Sequence, residues 1–258
     1  MSLSPIPLPP APDAVDRERL AEPSLWRQYV SIPSLNAVYV AVPKVACTVW
    51  KAWARRVEGL PAPDHPRLAH DRGAEGGLTY LDQMSPEGRA EALQGVVFSF
   101  VRHPETRLLS AWLNKYSKPL AKIDQEMYWV GQKLGGKLIY DEDGPHAIPF
   151  DRFVEAACDQ SDVEMNQHWR PQSTILQWGA VRLDFMGRFE HMAADGAALR
   201  AYLGAEADLS PRVRKFFPSQ GTQDQYDAFY TPDLLRMVRE RWAKDFEAFG
   251  YDAPADRS

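Results

Sequence analysis

The sequence has very few of the residues that build disulfide frameworks and metal sites. Its only cysteines are Cys47 and Cys158, and they form no Cys-x-x-Cys pair that would suggest structural zinc. The six histidines are isolated from one another and form neither a His-x-His nor a His-Glu-x-x-His pattern. We therefore expect no disulfide framework and no dedicated metal site.

Long apolar runs are also missing. No segment approaches the roughly 18 apolar residues that a membrane-spanning helix needs. The first residues, MSLSPIPLPPAPDAV, lack a basic start and a continuous apolar stretch, so they do not resemble a secretion signal. We predict a disordered, Pro-rich leader over residues 1–24, a single domain over residues 25–258, and a cytoplasmic location.

Neither sign of charge is in large excess. The formal net charge is −5, which argues against a general nucleic-acid binder and against a protein that coats anionic membranes. The cations are nevertheless grouped along the chain. One group is Lys44, Lys51, Arg55 and Arg56, and the other is Arg102, Arg107, Lys115, Lys118 and Lys122. Each group allows a local anion-binding site.

What is present is an alternation of strand and helix patterns. Residues 37–42 (AVYVAV) and 96–101 (VVFSFV) are short apolar runs, typical of strands buried on both faces, and 181–187 (VRLDFMG) is a third candidate. Helix patterns cover 48–58, a segment from Ser85-Pro86 with Ser85 as its cap, the residues after Pro104, 119–133 and 150–160. A last helix pattern covers 232–249, with Thr231 as its cap and Gly250 at its end. This order predicts an α/β fold with a central parallel sheet and helices on both faces. Ligands of such sheets bind at the carboxyl ends of the strands, where both cationic groups begin.

The first candidate site is the segment PKVACT, which follows the strand pattern 37–42. The N–H groups of Ala46, Cys47, Thr48 and Val49 are predicted to be the unpaired donors of a helix start, where the helix dipole favours an anion. Small side chains allow close approach, the Thr48 hydroxyl adds a donor, and Lys44 adds a positive charge. Taken alone, the segment is equally compatible with a plain strand-to-helix turn and a solvated lysine. The Gly-rich signatures GxxxxGK[ST] and GxGxxG are both absent.

The second candidate site is FVRHPETRLLSAW, which contains the end of the strand pattern 96–101. Arg102 stands at the carboxyl end of that strand, and Pro104 opens a helix that carries Ser110 about two turns along. The Arg102 guanidinium can bind a phosphate through two N–H donors, and Ser110 can donate to the same group. In isolation, a local pairing of Arg102 and a packing role for Ser110 explain the pattern equally well.

Together the two segments resemble a known family. PKVACTVWK followed by FSFVRHPETRLLSAW is similar to the paired binding elements of sulfotransferases that use 3′-phosphoadenosine 5′-phosphosulfate (PAPS), and the closer resemblance is to carbohydrate sulfotransferases of the chondroitin and HNK-1 type (sulfotransferase family 2). Residues 166–176, 183–192 and 230–251 resemble that group's later blocks, in the same order. The resemblance implies a three-layer α/β sandwich with a central parallel sheet, a P-loop-NTPase-like sulfotransferase fold. His103 stands where an acidic residue is usual, and the anchor of the Golgi enzymes is missing, so we expect a soluble, bacterial-type member.

The resemblance also implies roles for individual residues. Lys44, Val45, Ala46, Cys47 and Thr48 would hold the 5′-phosphosulfate of PAPS, and Arg102 and Ser110 would hold its 3′-phosphate. Lys44 would also act in catalysis, by stabilising the charge that grows on the leaving phosphate oxygen.

A general base must take the proton of the acceptor hydroxyl. His70, in the loop between the two motifs, is the candidate, with Glu75 and His168 as alternatives. PAPS is expected as co-substrate without a metal, because the transferred group carries less charge than a phosphoryl group. The resemblance favours a small-molecule or glycan acceptor, and no nucleic acid is expected as partner.

Two other functions are compatible with the residues alone. One is a P-loop-like kinase or other ATP-using phosphotransferase, although the Gly-rich loop and the Mg²⁺-binding pair that it needs are not evident. The other is a non-catalytic nucleotide-binding protein on the same fold. A sulfotransferase is distinguished from the first by its preferred nucleotide and from the second by group transfer.

Overall fold

The computed structural model describes residues 6–9, 23–61, 69–73, 76–117, 140–141, 144–145, 147–205 and 222–251. Most of the predicted leader, the predicted helix 119–133 and Glu75 lie outside these residues. The chain forms two compact units. The first contains Met1–Arg102 and Gln172–Pro218, and the second contains His103–Pro171 and Ser219–Ser258. The predicted boundary at residue 24, and the single domain after it, stay predictions.

Strands and helices alternate along the described chain. The strands are β1 (Tyr29–Ile32), β2 (Ala37–Val40), β3 (Val96–Val101), β4 (Tyr140–Asp141), β5 (Gly144–Pro145) and β6 (Phe185–Arg188). The α-helices are α1 (Cys47–Val57), α2 (Pro86–Ala92), α3 (Pro104–Lys115), α4 (Phe150–Cys158), α5 (Gln172–Ile175), α6 (Met192–Tyr202), α7 (Thr222–Phe229), α8 (Pro232–Arg241) and α9 (Ala243–Phe249). The predicted α/β class is confirmed.

The first unit is built on a four-stranded sheet in the order β1-β2-β3-β6. Strands β2, β3 and β6 run parallel, in a register that pairs Val38 with Val97 and Phe98 with Phe185. Strand β1 is antiparallel to β2, so the predicted central parallel sheet carries an antiparallel edge strand that the sequence patterns did not indicate. A hairpin of β4 and β5 forms a separate, two-stranded sheet.

Strand β3 is buried on both faces, as the apolar run predicted. Val97, Ser99 and Val101 face one side of the sheet and Phe98 and Phe100 face the other, and all five are at most 1% exposed. The single polar side chain in this run is satisfied, because the Ser99 hydroxyl donates to the Val40 carbonyl at 2.7 Å. A strand of this kind fixes its own carboxyl end firmly, and that end carries Arg102.

Helix α1 is held on the face of the sheet that carries the phenylalanines. The Trp50 ring stacks on Phe100 with a centroid distance of 4.6 Å. On the neighbouring strand β6, Gly187 leaves room for the Phe100 ring, since a Cβ atom at Gly187 would lie 2.2 Å from that ring. The first turn of α1 is thereby fixed relative to the ends of β2 and β3.

Several predicted helix ends are confirmed. The Ser85 hydroxyl accepts from the Gly88 N–H at 3.1 Å at the start of α2, and Thr231 accepts from Leu234 at the start of α8. Gly250 ends α9 with φ of 58°. The predicted single helix 232–249 is wrong in one respect, because it consists of α8 and α9, which meet at Trp242.

The described part of the second unit consists of helices packed around aromatic side chains and of the small β4–β5 hairpin. Trp112 and Trp169 are buried there, and the Trp112 indole donates to the Ile148 carbonyl at 2.7 Å. The Trp242 indole donates to the Trp169 carbonyl at 2.9 Å, which fixes the point where α8 ends. These tryptophans are core residues of the second unit.

Candidate functional site

The loop between β2 and α1 has an unusual backbone. Lys44 and Ala46 adopt φ of 68° and 53°, while Val45 between them does not have a positive φ. Positive φ is uncommon for residues with a side chain and costs on the order of 1–3 kcal/mol at each position. Left-handed residues in a turn can direct successive N–H groups toward one side, which is the backbone geometry of anion-binding concavities.

The first turn of α1 has neither a side-chain cap nor an acidic residue. The Val49 N–H donates to the Ala46 carbonyl at 2.9 Å, so the prediction that it is unpaired is wrong. Val49 is paired because the first turn of α1 is tightened by a hydrogen bond between residues three positions apart. Within the described ranges, the N–H groups of Ala46, Cys47 and Thr48 donate to no protein acceptor. Val49 therefore leaves the predicted set of unpaired donors, and Ala46, Cys47 and Thr48 stay in it.

Arg102 is fixed at the end of β3 and is joined to this loop. Its backbone N–H donates to Gln172 Oε1 at 3.0 Å, and Gln172 Nε2 donates to its carbonyl at 2.7 Å. Its guanidinium Nη1 donates to the Lys44 carbonyl at 3.3 Å, and its guanidinium carbon Cζ lies 4.3 Å from the centroid of the Phe189 ring. The structure therefore brings the Arg102 guanidinium to the backbone of Lys44, which joins the two strand ends that the sequence singled out.

His70 lies beside the start of α1. Its Nε2 is 3.0 Å from Thr48 Oγ1, and its Nδ1 is 3.1 Å from Lys51 Nζ. His70 is exposed, whereas Lys51 is 7% exposed and lies 5.2 Å from the centroid of the Tyr80 ring. The structure thus brings His70 to the predicted phosphosulfate site. From the sequence, Lys51 is identifiable only as a member of a cationic group.

Two other predicted site residues belong to the second unit. Ser110 is half-buried on α3 of the second unit. His168 is in the same unit, where its Nδ1 is 2.6 Å from Asn166 Oδ1. Glu75 lies outside the described residues. The roles proposed for Ser110 and for the alternative bases remain predictions.

The start of α3 contains a buried acidic group. Glu105 is fully buried, and its carboxylate accepts from Arg239 Nε at 2.9 Å and from the Tyr226 hydroxyl. Burial, and next the adjacent Glu105 carboxylate, raise the pKa of the Tyr226 hydroxyl well above its usual value, so this group remains a donor. His103 packs edge-on against two aromatic rings, and its Nδ1 lies 3.9 Å from the Glu105 carboxylate.

One further cation was missed from the sequence. Arg188 ends β6, and the sheet register pairs it with Val101, one residue before Arg102. The Arg188 N–H donates to the Asp195 carboxylate at 2.7 Å, which fixes the backbone at this strand end. The predicted strand 181–187 stopped one residue short of it. A cation directly after that strand was the signal that could have identified it.

In the described part of the chain, no group of three or more His, Cys, Asp or Glu side chains is placed to hold a metal ion. No described helix is both long enough and apolar enough to cross a bilayer.

The sheet, the loop after β2 and the strand-end arginine define an α/β protein with N–H donors and cationic residues at the carboxyl ends of its parallel strands. The family model described as "Sulfotransferase family" matches residues 27–252, and the chain belongs to that family. The resemblance found in the two sequence motifs is therefore confirmed.

Curated relatives narrow the similarity to carbohydrate sulfotransferases. Carbohydrate sulfotransferase 14 of Danio rerio is 27% identical over 230 residues, which cover 84% of this chain and 60% of the relative. The Homo sapiens protein of the same name is 29% identical over 242 residues, which cover 90% of this chain and 62% of the relative. Carbohydrate sulfotransferase 11 of Danio rerio is 24% identical over 253 residues, which cover 93% of this chain and 71% of that relative. The chain spans about three fifths of the length of the first two relatives. No solved structure gives a match.

Proposed function

We propose that this protein is a sulfotransferase that moves the sulfuryl group of PAPS to a hydroxyl group of a carbohydrate. The observation that carries the proposal is the strained loop after β2, bound through its Lys44 carbonyl to Arg102 at the end of β3, in a chain of the sulfotransferase family. The acceptor class rests on the names of the relatives.

The phosphosulfate end of the donor is proposed to bind residues 44–48. The N–H groups at the start of α1 would hold the non-bridging oxygens, helped by the positive end of the helix dipole. Lys44 would lie beside the oxygen that leaves with the nucleotide and would stabilise its growing negative charge. The small side chains of Ala46 and Cys47 leave the backbone accessible to the anion.

The 3′-phosphate is proposed to bind Arg102. A guanidinium can bind two phosphate oxygens at once, and Gln172 holds the Arg102 backbone in one position. Ser110 is included as a second contact on the strength of the motif resemblance alone.

The transfer itself needs few groups. The acceptor oxygen forms a bond to sulfur while the bond from sulfur to the 5′-phosphate oxygen breaks, in line, and the acceptor proton passes to a base. The transferred group carries little charge, so positioning and a few donors account for the chemistry. The sequence predicts His70 as the general base, with Glu75 and His168 as alternatives. The cytoplasmic location and the bacterial-type assignment stay predictions.

Transfer of labelled sulfate from PAPS to a panel of oligosaccharides tests the proposal. We expect labelled product with at least one glycan, and adenosine 3′,5′-bisphosphate should raise the unfolding temperature more than ATP with Mg²⁺ does. Stabilisation by ATP with Mg²⁺ alone would favour the phosphotransferase alternative. Binding of the bisphosphate without transfer to any acceptor would favour the non-catalytic one.

A further inference from the structure

We propose that Lys51, His70 and Thr48 form a directional hydrogen-bond chain in which His70 is a positioning residue that turns the Thr48 hydroxyl proton toward the anion bound at the start of α1. The inference rests on the proposed function, because it concerns the same phosphosulfate site. It assigns to Lys51 a role that the sequence motifs did not suggest, and to His70 a role other than that of general base.

The direction of the first link follows from the chemistry of lysine. The Lys51 ammonium group has three donors and no acceptor, so at 3.1 Å from His70 Nδ1 it can only donate. Lys51 is held in place because it is almost completely buried, with its ammonium group over the Tyr80 ring. His70 Nδ1 is therefore the acceptor of this bond.

The direction of the second link follows from the first. A neutral imidazole whose Nδ1 accepts carries its proton on Nε2. His70 Nε2 lies 3.0 Å from Thr48 Oγ1, so the imidazole donates and the threonine oxygen accepts. Lys51 thus fixes the tautomer of His70, and His70 in turn occupies a lone pair of the Thr48 oxygen.

The Thr48 hydroxyl is left with one proton to donate. A threonine in a helix ordinarily donates to the carbonyl three or four residues earlier, which for Thr48 would be that of Val45 or Lys44. Among the described residues, the only hydrogen-bond partner of the Thr48 hydroxyl is His70. Thr48 is the second residue of α1, beside the N–H groups of the first turn. Its proton is therefore positioned to join those donors on the same anion.

This chain leaves the basic lone pair of His70 engaged with Lys51. A general base needs that lone pair free for the acceptor proton. The two roles predict different behaviour. A base is needed for turnover and not for nucleotide binding, whereas a residue that orients Thr48 contributes to binding of the 5′-phosphate group itself.

Calorimetric titration with adenosine 3′,5′-bisphosphate separates the two roles without an acceptor. We expect Thr48→Val and His70→Ala each to weaken binding by roughly 10-fold or more, the range for a hydrogen bond to a charged group. The double variant should bind no more weakly than Thr48→Val, because the two changes remove the same donor, the Thr48 hydroxyl directed at the anion. His70→Gln, whose amide N–H can replace Nε2–H, should restore most of the affinity.

Matched controls use exposed residues outside the site. Thr79→Val removes an exposed threonine hydroxyl, and Lys244→Met removes an exposed ammonium group, and both should bind like the wild type. Lys51→Met should weaken binding, by less than His70→Ala. If His70→Ala does not fold, His70→Phe keeps the volume of the ring without its N–H and takes its place.

The possible failures are distinguishable. A wild-type protein that does not bind the bisphosphate overturns the proposed function, and this inference with it. A wild type that binds, together with His70→Ala that binds equally well, overturns the hydrogen-bond chain alone. Additive losses in the double variant would also overturn it, because they would show that His70 acts independently of Thr48.

Discussion

Helices α1 and α3 each begin just after a parallel strand, yet their first turns differ in charge. The first turn of α1 contains no acidic residue and no side-chain cap, and positive φ angles precede it. The first turn of α3 has Pro104 at its first position and the buried carboxylate of Glu105. In α3 the chain itself supplies the negative charge that a helix dipole favours. The first turn of α1 has no such charge of its own, and this difference supports the proposal that the donor binds at α1.

The largest expected effect is on stability, at the start of α3. Glu105→Ala removes a buried carboxylate that accepts from Arg239 and Tyr226, and leaves both donors without this acceptor. We expect the free energy of unfolding to fall by about 3–5 kcal/mol, measured by urea denaturation.

Glu240→Ala is the matched control, because its carboxylate is exposed and pairs only with the exposed Arg236 at 3.5 Å in the described residues. We expect a loss below about 0.5 kcal/mol. Equal losses in the two variants would show that the carboxylate at the start of α3 has no special role, and would remove one side of the comparison.

The next effect is on catalysis, at the loop before α1. Lys44→Ala should lower the rate of sulfuryl transfer by roughly 10²–10³-fold, because one stabilising charge is lost at the leaving oxygen. Single-turnover assays with labelled PAPS measure this change. Lys244→Ala removes an exposed cation from α9 and should leave the rate unchanged. A Lys44 variant with the wild-type rate would exclude Lys44 from the chemistry.

A smaller effect distinguishes strain from function. Ala46→Val and Asn36→Val both place a β-branched residue at positive φ, of 53° and 45° respectively. Each should lose about 1–2 kcal/mol of stability. Only Ala46→Val should weaken binding of adenosine 3′,5′-bisphosphate, since Asn36 precedes β2 at its other end. Equal affinity in the two variants would mean that the anion does not approach the Ala46 backbone.

The smallest effect concerns the two cysteines, one in each unit. Burial raises the pKa of the Cys158 thiol to about 11. At pH 8, three units lower, only roughly one thiol in a thousand is ionised, so alkylation by iodoacetamide should be slow, and faster as the pH rises. Cys47 begins α1, and the bisphosphate should protect it from alkylation. Mass spectrometry after timed labelling measures both. Protection of Cys158 but not Cys47 would place the ligand elsewhere.

Much of the fold was predictable because local patterns determine it. The run 96–101 is β3, with the predicted ends, and Ser85 and Thr231 cap the helices that they were expected to cap. Strand β6 begins later than predicted because Asp184 binds Val97 through its carboxylate and its N–H, before the strand pairing begins. The break at Trp242 depends on a contact with a residue distant in sequence.

The site was predictable to a similar degree. Lys44, Thr48 and Arg102 follow from where the strands end and from the motif resemblance. The contact of His70 with Lys51 and the bond from Arg102 to the Lys44 carbonyl join residues 19 and 58 positions apart. No local pattern carries such contacts. The positive φ at Ala46 was equally hidden, because alanine gives no sign of that conformation.

The central claim is that α1 and Arg102 bind opposite ends of one adenine nucleotide. Calorimetric titration of the wild type and Arg102→Ala with adenosine 3′,5′-bisphosphate and with adenosine 5′-phosphate tests it most directly. The wild type should prefer the bisphosphate by roughly 10-fold or more, because a charged hydrogen bond to the 3′-phosphate is gained. Arg102→Ala should bind both nucleotides with similar, weak affinity. An Arg102→Ala variant that keeps the full preference would contradict the account.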